Sequence, residues 1–189
     1  LWIPPMGQGE PRVEGVYEQL LEGEECVFLG SRPSTLPAAV NDSLSTCSIA
    51  LASALQYLGY VGRCSFDLLV TGDIEHEFDV VFSECNGRWG GTSTPMALVD
   101  RLVPGPRPVY RAQDVVDAEL VGRPLPRILE ALEDALYRPG QGGRYIVYNV
   151  GPLADSGKLD VIALAPTTDL ADEALLLDLP SALGLHKSV

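Results

Sequence analysis

Short apolar runs alternate with turns along the first half of the chain. Runs at residues 16–21 and 26–29 predict two short strands, joined by an acidic turn that contains Gly23. Longer runs at 66–71 and 78–86 predict a second pair of strands, joined by a polar connection. The pattern therefore predicts two pairs of consecutive strands.

Helical spacing of apolar residues marks two segments around the second strand pair. Residues 43–58 predict one helix, which Gly59 ends, and residues 95–102 predict another. Three polar residues are candidate caps for the first helix: Asn41, Asp42 and Ser43. The sequence Pro-Gly-Pro at 104–106 stops the second helix and marks a domain boundary.

The second half of the chain predicts a smaller α/β domain. Its elements are a helix at 125–137, strands at 144–150 and 159–164, and a helix at 170–177. We therefore predict an α+β protein with two domains, residues 1–103 and 104–189.

Composition and charge restrict the function. The 189 residues are 46% hydrophobic, which is enough to bury a core, and the net charge is −13. Because nucleic-acid surfaces need clustered Lys and Arg, we expect no nucleic-acid partner. We find no secretory signal and no apolar run long enough to span a bilayer, so we expect a cytoplasmic protein with no membrane partner.

Cysteine and histidine patterns exclude two kinds of site. The four cysteines show no CxxC pairing, so we expect no zinc site and interpret them as small buried hydrophobic residues: Cys26, Cys47, Cys64 and Cys85. Neither His76 nor His186 lies near a nucleophile pattern, so no hydrolase triad is predicted.

Polar residues with coordinating oxygens lie at the end of the run at 78–86. Glu84 and Asn86 are two residues apart and share one face of a strand, and Phe82 has the same parity. A carboxylate at the end of an apolar segment is costly to bury unless something compensates its charge. With Asp67 on the facing strand, this oxygen set favours Mg²⁺ that carries a nucleotide phosphate.

Three motifs, in order, resemble the carboxyl-terminal half of the ATP-grasp fold. Residues 17–28, YEQLLEGEECVF, are similar to the adenine hinge of that family and the G-x-E turn after it. Residues 59–67, GYVGRCSFD, and 84–88, ECNGR, are similar to its GyxG…fD and E-x-N-x-R strands. Members of the family use ATP to convert a carboxylate into an acyl phosphate, which a nucleophile, usually an amine, then attacks. The resemblance implies an ATP-grasp carboxyl-terminal subdomain, with an antiparallel sheet flanked by helices, that uses ATP and Mg²⁺.

Downstream segments are similar to a narrower group. Residues 86–95 and 146–153, followed by Gly157-Lys158-Leu159, resemble the pheganomycin-type peptide ligases, which carry a small appended domain. This resemblance implies a carboxylate–amine ligase in biosynthesis, with small-molecule or peptide substrates.

The family motifs imply metal ligands and a catalytic arginine. Asp67, Glu84 and Asn86 match the magnesium ligands, and Arg88 matches the arginine that faces the transferring phosphate or the acyl phosphate. From the residues alone, the first three can also be solvated polar groups, and Arg88 can be an ion-pair partner of Glu84 or Asp67. Arg63 is a weaker phosphate candidate that fits a structural role better.

The hinge motif implies nucleotide contacts. Glu18 and Glu25 match the acids that contact adenine and ribose, and Leu21 would offer its backbone N–H to the purine. An acidic surface turn formed by Glu22, Glu24 and Glu25 is the alternative.

A glycine-rich loop follows the metal motif. Gly87, Gly90 and Gly91 indicate close backbone approach to a substrate or positive φ. The hydroxyls of residues 92–94 would lie near a helix start, where they either help to bind an anion or cap the helix. Trp89 either lines the substrate pocket or packs as an ordinary aromatic residue.

The chain lacks the lysines that hold nucleotide phosphates in this family, which lie mostly in an amino-terminal lobe. No Lys precedes Lys158, Arg32 is the nearby basic residue placed to substitute, and the chain begins at Leu1 rather than Met. We therefore expect a fragment, or a chain that needs an amino-terminal lobe or companion chain, with a homo-oligomer left open. Two functions follow: the catalytic half of a ligase with little activity alone, or a non-catalytic module that docks on a separate nucleotide-binding chain.

Overall fold

The computed structural model describes residues 1–185, which form two compact units. The first unit consists of residues 1–18 and 33–94, and the second of residues 19–32 and the chain from residue 95 onward. The boundary between these units therefore differs from the predicted boundary between residues 103 and 104. As a division into domains, 1–103 and 104–189 stays a prediction.

Nine strands and six α-helices lie within the described residues. The strands are β1 (Trp2–Ile3), β2 (Tyr17–Glu22), β3 (Val27–Pro33), β4 (Gly62–Arg63), β5 (Ser65–Asp73), β6 (Glu77–Asn86), β7 (Val109–Val116), β8 (Tyr145–Tyr148) and β9 (Lys158–Ala165). The helices are α1 (Ala38–Tyr57), α2 (Ser93–Leu102), α3 (Leu125–Ala131), α4 (Leu153–Ser156), α5 (Thr168–Glu173) and α6 (Leu179–Ala182). Short 3₁₀ turns cover Ala118–Leu120 and Glu133–Ala135, and a π-turn at Ala174–Asp178 joins α5 to α6.

The first unit packs α1 against two small antiparallel strand pairs, β1 with β4 and β5 with β6. Buried residues recur along α1 at every fourth position: Val40, Leu44, Ser48, Ala52 and Gln56. This stripe is the one that helical periodicity requires. The Gln56 amide nitrogen donates 2.9 Å hydrogen bonds to the carbonyls of Pro4 and Gly9, so the helix also holds the amino-terminal segment.

The start of α1 differs from the prediction. The helix begins at Ala38 after Pro37, so Asn41, Asp42 and Ser43 lie inside it and do not cap it. Proline fits there because the first turn leaves its N–H groups without intrahelical partners. The predicted end is confirmed, since Gly59 follows with φ of 92°.

The second unit is built on a five-stranded sheet in the order β2-β3-β7-β9-β8. The predicted strands at 144–150 and 159–164 are β8 and β9, and they share this sheet with the β2–β3 pair. The residues after 104 therefore do not build their sheet alone. The α+β fold class, with antiparallel sheets flanked by helices, is confirmed.

The central strand β7 carries a buried arginine. Arg111 Nη1 lies 3.1 Å from one carboxylate oxygen of Asp172, and Arg32 Nη1 lies 3.0 Å from the other. Arg32 is therefore an ion-pair partner of Asp172, which argues against the expected substitute role in phosphate binding.

Two carboxylates lie side by side further along the same sheet. Asp114 and Asp160 are register partners on β7 and β9. Lys158 Nζ lies 2.5 Å from Asp114 Oδ2 and 3.9 Å from Asp160 Oδ1, and the Asn149 amide donates to Asp160 Oδ2 at 2.7 Å. Burial raises the pKa of Asp160, and the hydrogen bond to Asp114 raises the pKa of Lys158. Lys158 is thus the counter-ion that both carboxylates share.

We expect Lys158→Met to lower the free energy of unfolding by about 2 kcal/mol, because it leaves two adjacent carboxylates without their cation. Urea denaturation measures this change. The control is Arg127→Met, which removes an exposed ion pair with Glu130 and should change the same quantity by less than about 0.5 kcal/mol. Equal effects of the two variants would contradict the assignment.

The pH dependence follows from the same groups. While both carboxylates are charged, the Lys158 contribution to stability is complete below the ordinary lysine pKa of 10.5 and is lost as pH rises through the higher pKa of the folded state. The deficit of Lys158→Met should shrink as the pH falls, because protonation of Asp160 removes uncompensated charge.

No helix within residues 1–185 combines the length and the apolar character that crossing a membrane requires.

Candidate functional site

The three predicted metal ligands lie together at one end of the β5–β6 hairpin. Asp67 and Glu84 are direct register partners, and Asn86 pairs with Ser65 one step along the same face. The Asn86 amide nitrogen lies 3.4 Å from Asp67 Oδ2. Two carboxylates and an amide therefore converge on one side of the hairpin.

A β-bulge at Ser83 separates this polar group from the apolar residues of the hairpin. Glu84 pairs with Asp67, but Phe82 pairs with Leu68, so Ser83 is an extra residue on β6. Phe82 consequently faces away from Glu84 and packs edge-on against Phe66, with ring centroids 5.9 Å apart. The predicted shared parity of Phe82 and Glu84 is wrong for this reason.

The exposure of the site also differs from the prediction. Glu84 is exposed, and Asp67 and Asn86 are half-buried, so no charge is buried at the end of an apolar segment. The donor set itself fits Mg²⁺, which prefers oxygen ligands and keeps several waters when it binds phosphate. Within residues 1–185 no three His, Cys, Asp or Glu side chains gather around a metal position. The candidate site has only two side chains of these types, Asp67 and Glu84, because its third member is the amide of Asn86.

Strand β6 ends at Asn86, and Arg88 lies in the bend that follows it. Its Nη1 donates to the carbonyl of Trp89 at 3.2 Å. Arg88 makes no ion pair in the part of the chain that the structure describes, so the alternative of a pair with Glu84 or Asp67 is not observed. Its guanidinium keeps its charge and most of its donors for another partner.

The glycine-rich loop has ordinary backbone geometry. Neither Gly87 nor Gly90 has positive φ, which contradicts that part of the prediction. The Ser93 hydroxyl accepts a hydrogen bond from the Gly90 N–H at 2.7 Å and also contacts the Gly90 carbonyl at 3.2 Å. Ser93 therefore closes the loop at the start of α2.

Trp89 is not buried as an ordinary packed aromatic residue, but one face of its ring contacts another side chain. It is 52% exposed, and the guanidinium of Arg63 lies 4.8 Å from the centroid of its ring. Arg63 in turn forms a two-point ion pair with Glu14. The structure thus assigns Arg63 the structural role that the sequence favoured.

The predicted nucleotide-hinge residues belong to different compact units. Glu18 lies in the first unit, where its carboxylate accepts hydrogen bonds from the Thr35 N–H at 2.5 Å and the Thr35 hydroxyl at 2.7 Å. Leu21 and Glu25 are exposed on β2 and in the β2–β3 turn of the second unit. Glu18 therefore has a structural partner that sequence reasoning did not foresee.

A groove of about 420 Å³ in the second unit is lined by β3, β7 and residues from the segment 175–185. Val27–Leu29 and Gln113–Asp117 line its walls, and Leu175 and Leu176 belong to its apolar lining. Glu22 lines it as well, whereas Leu21 and Glu25 do not. Sequence reasoning missed this groove because it did not predict β7.

The remaining predicted features have mixed outcomes. Cys64 is buried as expected, but Cys26 and Cys85 are exposed, so the interpretation of all four cysteines as buried hydrophobic residues is wrong. His76 pairs with Asp73 at 3.0 Å in the turn between β5 and β6. His186 lies outside the described residues.

Comparisons with known proteins identify the fold. No protein-family model matches the chain, and no curated protein matches it significantly. A solved structure of carboxyaminoimidazole ribonucleotide synthase from Aspergillus clavatus, complexed with ATP, matches with a TM-score of 0.50 and 13% sequence identity. The match covers 89% of this chain and 45% of that chain, so this chain spans less than half of that protein. Because that protein is an ATP-grasp enzyme, the match confirms the expected ATP-grasp type of fold.

Proposed function

We propose that the chain is the catalytic carboxyl-terminal half of an ATP-dependent carboxylate–amine ligase. The observation that carries this proposal is the convergence of Asp67, Glu84 and Asn86 on one face of the β5–β6 hairpin, directly before Arg88. The likeness to an ATP-grasp enzyme supports it. The resemblance of residues 86–95, 146–153 and 157–159 to pheganomycin-type ligases favours a peptide product and a biosynthetic role. A cytoplasmic location is part of the same proposal.

The polar residues of the site divide between two tasks in this chemistry, holding the metal and stabilising the phosphoryl group. Mg²⁺, when bound, would supply positive charge that offsets the charge of the nucleotide phosphates. Asp67, Glu84 and Asn86 would hold it through carboxylate and amide oxygens. Arg88 stabilises the charge on the phosphoryl group as a substrate carboxylate oxygen attacks it. A substrate amine would then attack the acyl carbon, and the loss of inorganic phosphate and of one proton from the amine nitrogen would leave the amide bond.

The nucleotide base belongs to the β2–β3 pair in this proposal. The backbone N–H of Leu21 offers a hydrogen bond to the purine, and Glu25 accepts hydrogen bonds from the ribose hydroxyls. Glu18 would act at the hinge only if it releases Thr35, so we assign it the weakest role of the three. An amino-terminal lobe or companion chain supplies the lysines for the α- and β-phosphates.

Mg²⁺-dependent nucleotide binding tests the proposal. We expect calorimetry to detect ADP and ATP binding to the chain with Mg²⁺, and Glu84→Gln and Asn86→Ala to weaken it at least about tenfold, because each removes one metal ligand. The control is Asp79→Asn, which changes a carboxylate on the same strand and the same face beside Thr71. Binding that is insensitive to Mg²⁺, or equally weakened by Asp79→Asn, would refute the metal site.

The second candidate is a non-catalytic module that docks on a separate nucleotide-binding chain. The ion pair of Arg32 with Asp172 favours it, because it removes the basic residue placed to contact phosphate. This candidate predicts no effect of Mg²⁺ or nucleotide on the melting temperature. It also predicts that co-expression with an amino-terminal lobe yields a complex without ligase activity.

A further inference from the structure

The segment that carries Arg88 has no regular secondary structure and is rich in glycine. It runs from Gly87 to Gly91, between the end of β6 and the start of α2. A side chain that must meet a transferring phosphoryl group needs a fixed position, since errors of about 1 Å can reduce the rate about a hundredfold. Something outside the loop must therefore hold it.

Two neighbours of Arg88 are held from the segment that precedes β5. An ideal Cβ on Gly87 would lie 3.4 Å from the Tyr60 hydroxyl, so this glycine packs directly against the tyrosine ring. The Tyr60 hydroxyl donates a 2.5 Å hydrogen bond to the carbonyl of Arg63. The Arg63 guanidinium lies 4.8 Å from the centroid of the Trp89 ring. The residues on both sides of Arg88 thus contact one short segment, residues 60–63.

Arg63 is itself held in place. Both ends of its guanidinium bind the carboxylate of Glu14, and the two side chains are 27% and 15% exposed. A planar guanidinium can make this paired contact and stack on an aromatic ring at the same time, which a lysine cannot. Its backbone is also fixed, because Arg63 pairs with Trp2 in the β1–β4 ladder.

We propose that Glu14, Arg63 and Trp89 form a clamp that positions Arg88 for phosphoryl transfer. Arg63 is a positioning residue in this arrangement and does not contact the substrate. Glu14 orients Arg63, Arg63 covers one face of Trp89, and Trp89 fixes the backbone next to Arg88. The role of the clamp in phosphoryl transfer rests on the proposed function. The contacts within the clamp can be tested without nucleotide.

Trp89 fluorescence tests the contacts in the isolated chain. The chain has two tryptophans, so a Trp2→Phe background leaves Trp89 as the only one. We expect Arg63→Met to raise acrylamide quenching of Trp89 and to shift its emission to the red, because the covered face becomes solvated. Glu14→Gln should act in the same direction. The matched control is Arg12→Met, since Arg12 lies 3.7 Å from the same Glu14 carboxylate but stacks 5.8 Å from Trp2.

Kinetic measurements on the proposed ligase, assayed with the amino-terminal lobe that the proposal requires, test whether the clamp positions Arg88. We expect Arg63→Met to lower kcat on the order of tenfold to a hundredfold while the Kd for Mg·ATP is unchanged. Trp89→Phe should retain most of kcat because a ring remains for stacking, whereas Trp89→Leu should behave like Arg63→Met.

The outcomes separate the clamp from the proposed function. Quenching of Trp89 that is the same in Arg63→Met and Arg12→Met overturns the clamp. An unchanged kcat in Arg63→Met, or a Kd that rises as much as kcat falls, overturns the positioning role. Failure of the unmodified protein to bind Mg·ATP counts against the proposed function alone, because the fluorescence comparison still confirms or overturns the clamp.

Discussion

Gly30→Ala is expected to lower the free energy of unfolding by about 3 kcal/mol, because the new methyl group has no space. An ideal Cβ at Gly30 would lie 2.1 Å from the carbonyl oxygen of Ala112 and 2.9 Å from the Cα of Gln113. Both are backbone atoms of the neighbouring strand β7, so a rotamer change cannot relieve the clash. The strands themselves must separate.

The clash affects a short but essential contact. Strands β3 and β7 pair at two positions, Gly30 with Gln113 and Ser31 with Ala112, so one clash disturbs the whole pairing. Loss of this contact frees the β2–β3 pair from the sheet. Hydrogen exchange should therefore rise first in residues 17–33, and urea denaturation should report the overall loss.

Gly151→Ala is the matched control. Gly151 does not have positive φ, and an ideal Cβ there meets no atom within 4 Å, so the same substitution should change stability by less than about 0.5 kcal/mol. A Gly30→Ala variant as stable as Gly151→Ala would mean that β3 and β7 are not paired as described.

Local patterns were sufficient to predict most elements. The β5–β6 hairpin follows from two apolar runs and a polar turn, and the structure lengthens the predicted strands by only one or two residues at an end. The end of α1 follows from Gly59, whose backbone conformation favours glycine. These features depend on neighbouring residues alone.

Strand β7 could not be predicted from local pattern. Its central residues are Arg111, Gln113 and Asp114, which break the apolar alternation expected of a central strand. They are tolerated because partners distant in sequence satisfy them: Asp172 pairs with Arg111, and Lys158 pairs with Asp114. Strand β7 also joins the sheet of the second half of the chain to the β2–β3 pair, a link between distant segments that local pattern does not show.

The sequence predicted that the three candidate metal ligands lie close together, but not the local geometry around them. Motif order placed Asp67, Glu84 and Asn86 together, and the register confirms that they share a face. The bulge at Ser83 has no sequence signal. The alternation of side chains therefore placed Phe82 and Glu84 on the same face of β6, whereas they lie on opposite faces. The partners of Glu18 and Arg63 were also hidden, because Thr35 and Glu14 are distant in sequence.

The second large effect is expected at Arg88. If the proposed function is right, Arg88→Ala should lower kcat about a thousandfold in an assay that includes the amino-terminal lobe the proposal requires, the scale of removing an arginine that stabilises a transferring phosphoryl group. The Kd for Mg·ATP should change less than about threefold, because the contact is made mainly in the transition state. Single-turnover measurement of acyl phosphate formation checks this directly.

Arg101→Ala is the control, since Arg101 is exposed near the end of α2 and should leave kcat unchanged. Arg88→Lys should recover little of the lost rate, because an ammonium cannot make the two parallel hydrogen bonds of a guanidinium. A Kd that rises in parallel with the fall in kcat would instead identify Arg88 as a ground-state nucleotide ligand.

The expectation for Arg88 rests on the absence of an ion pair between its guanidinium and any carboxylate of the described residues, although the chain is acidic. The chain has 26 Asp and Glu residues against 13 Lys and Arg, and eight of its arginines form ion pairs within residues 1–185. Arg88 does not, although Glu84 and Asp67 lie on the strands just before it. A guanidinium held by a carboxylate would have to break that pair before it met a phosphate. Arg88 has no such pair to break within the described residues, so its charge would be available to a phosphoryl group in the proposed reaction.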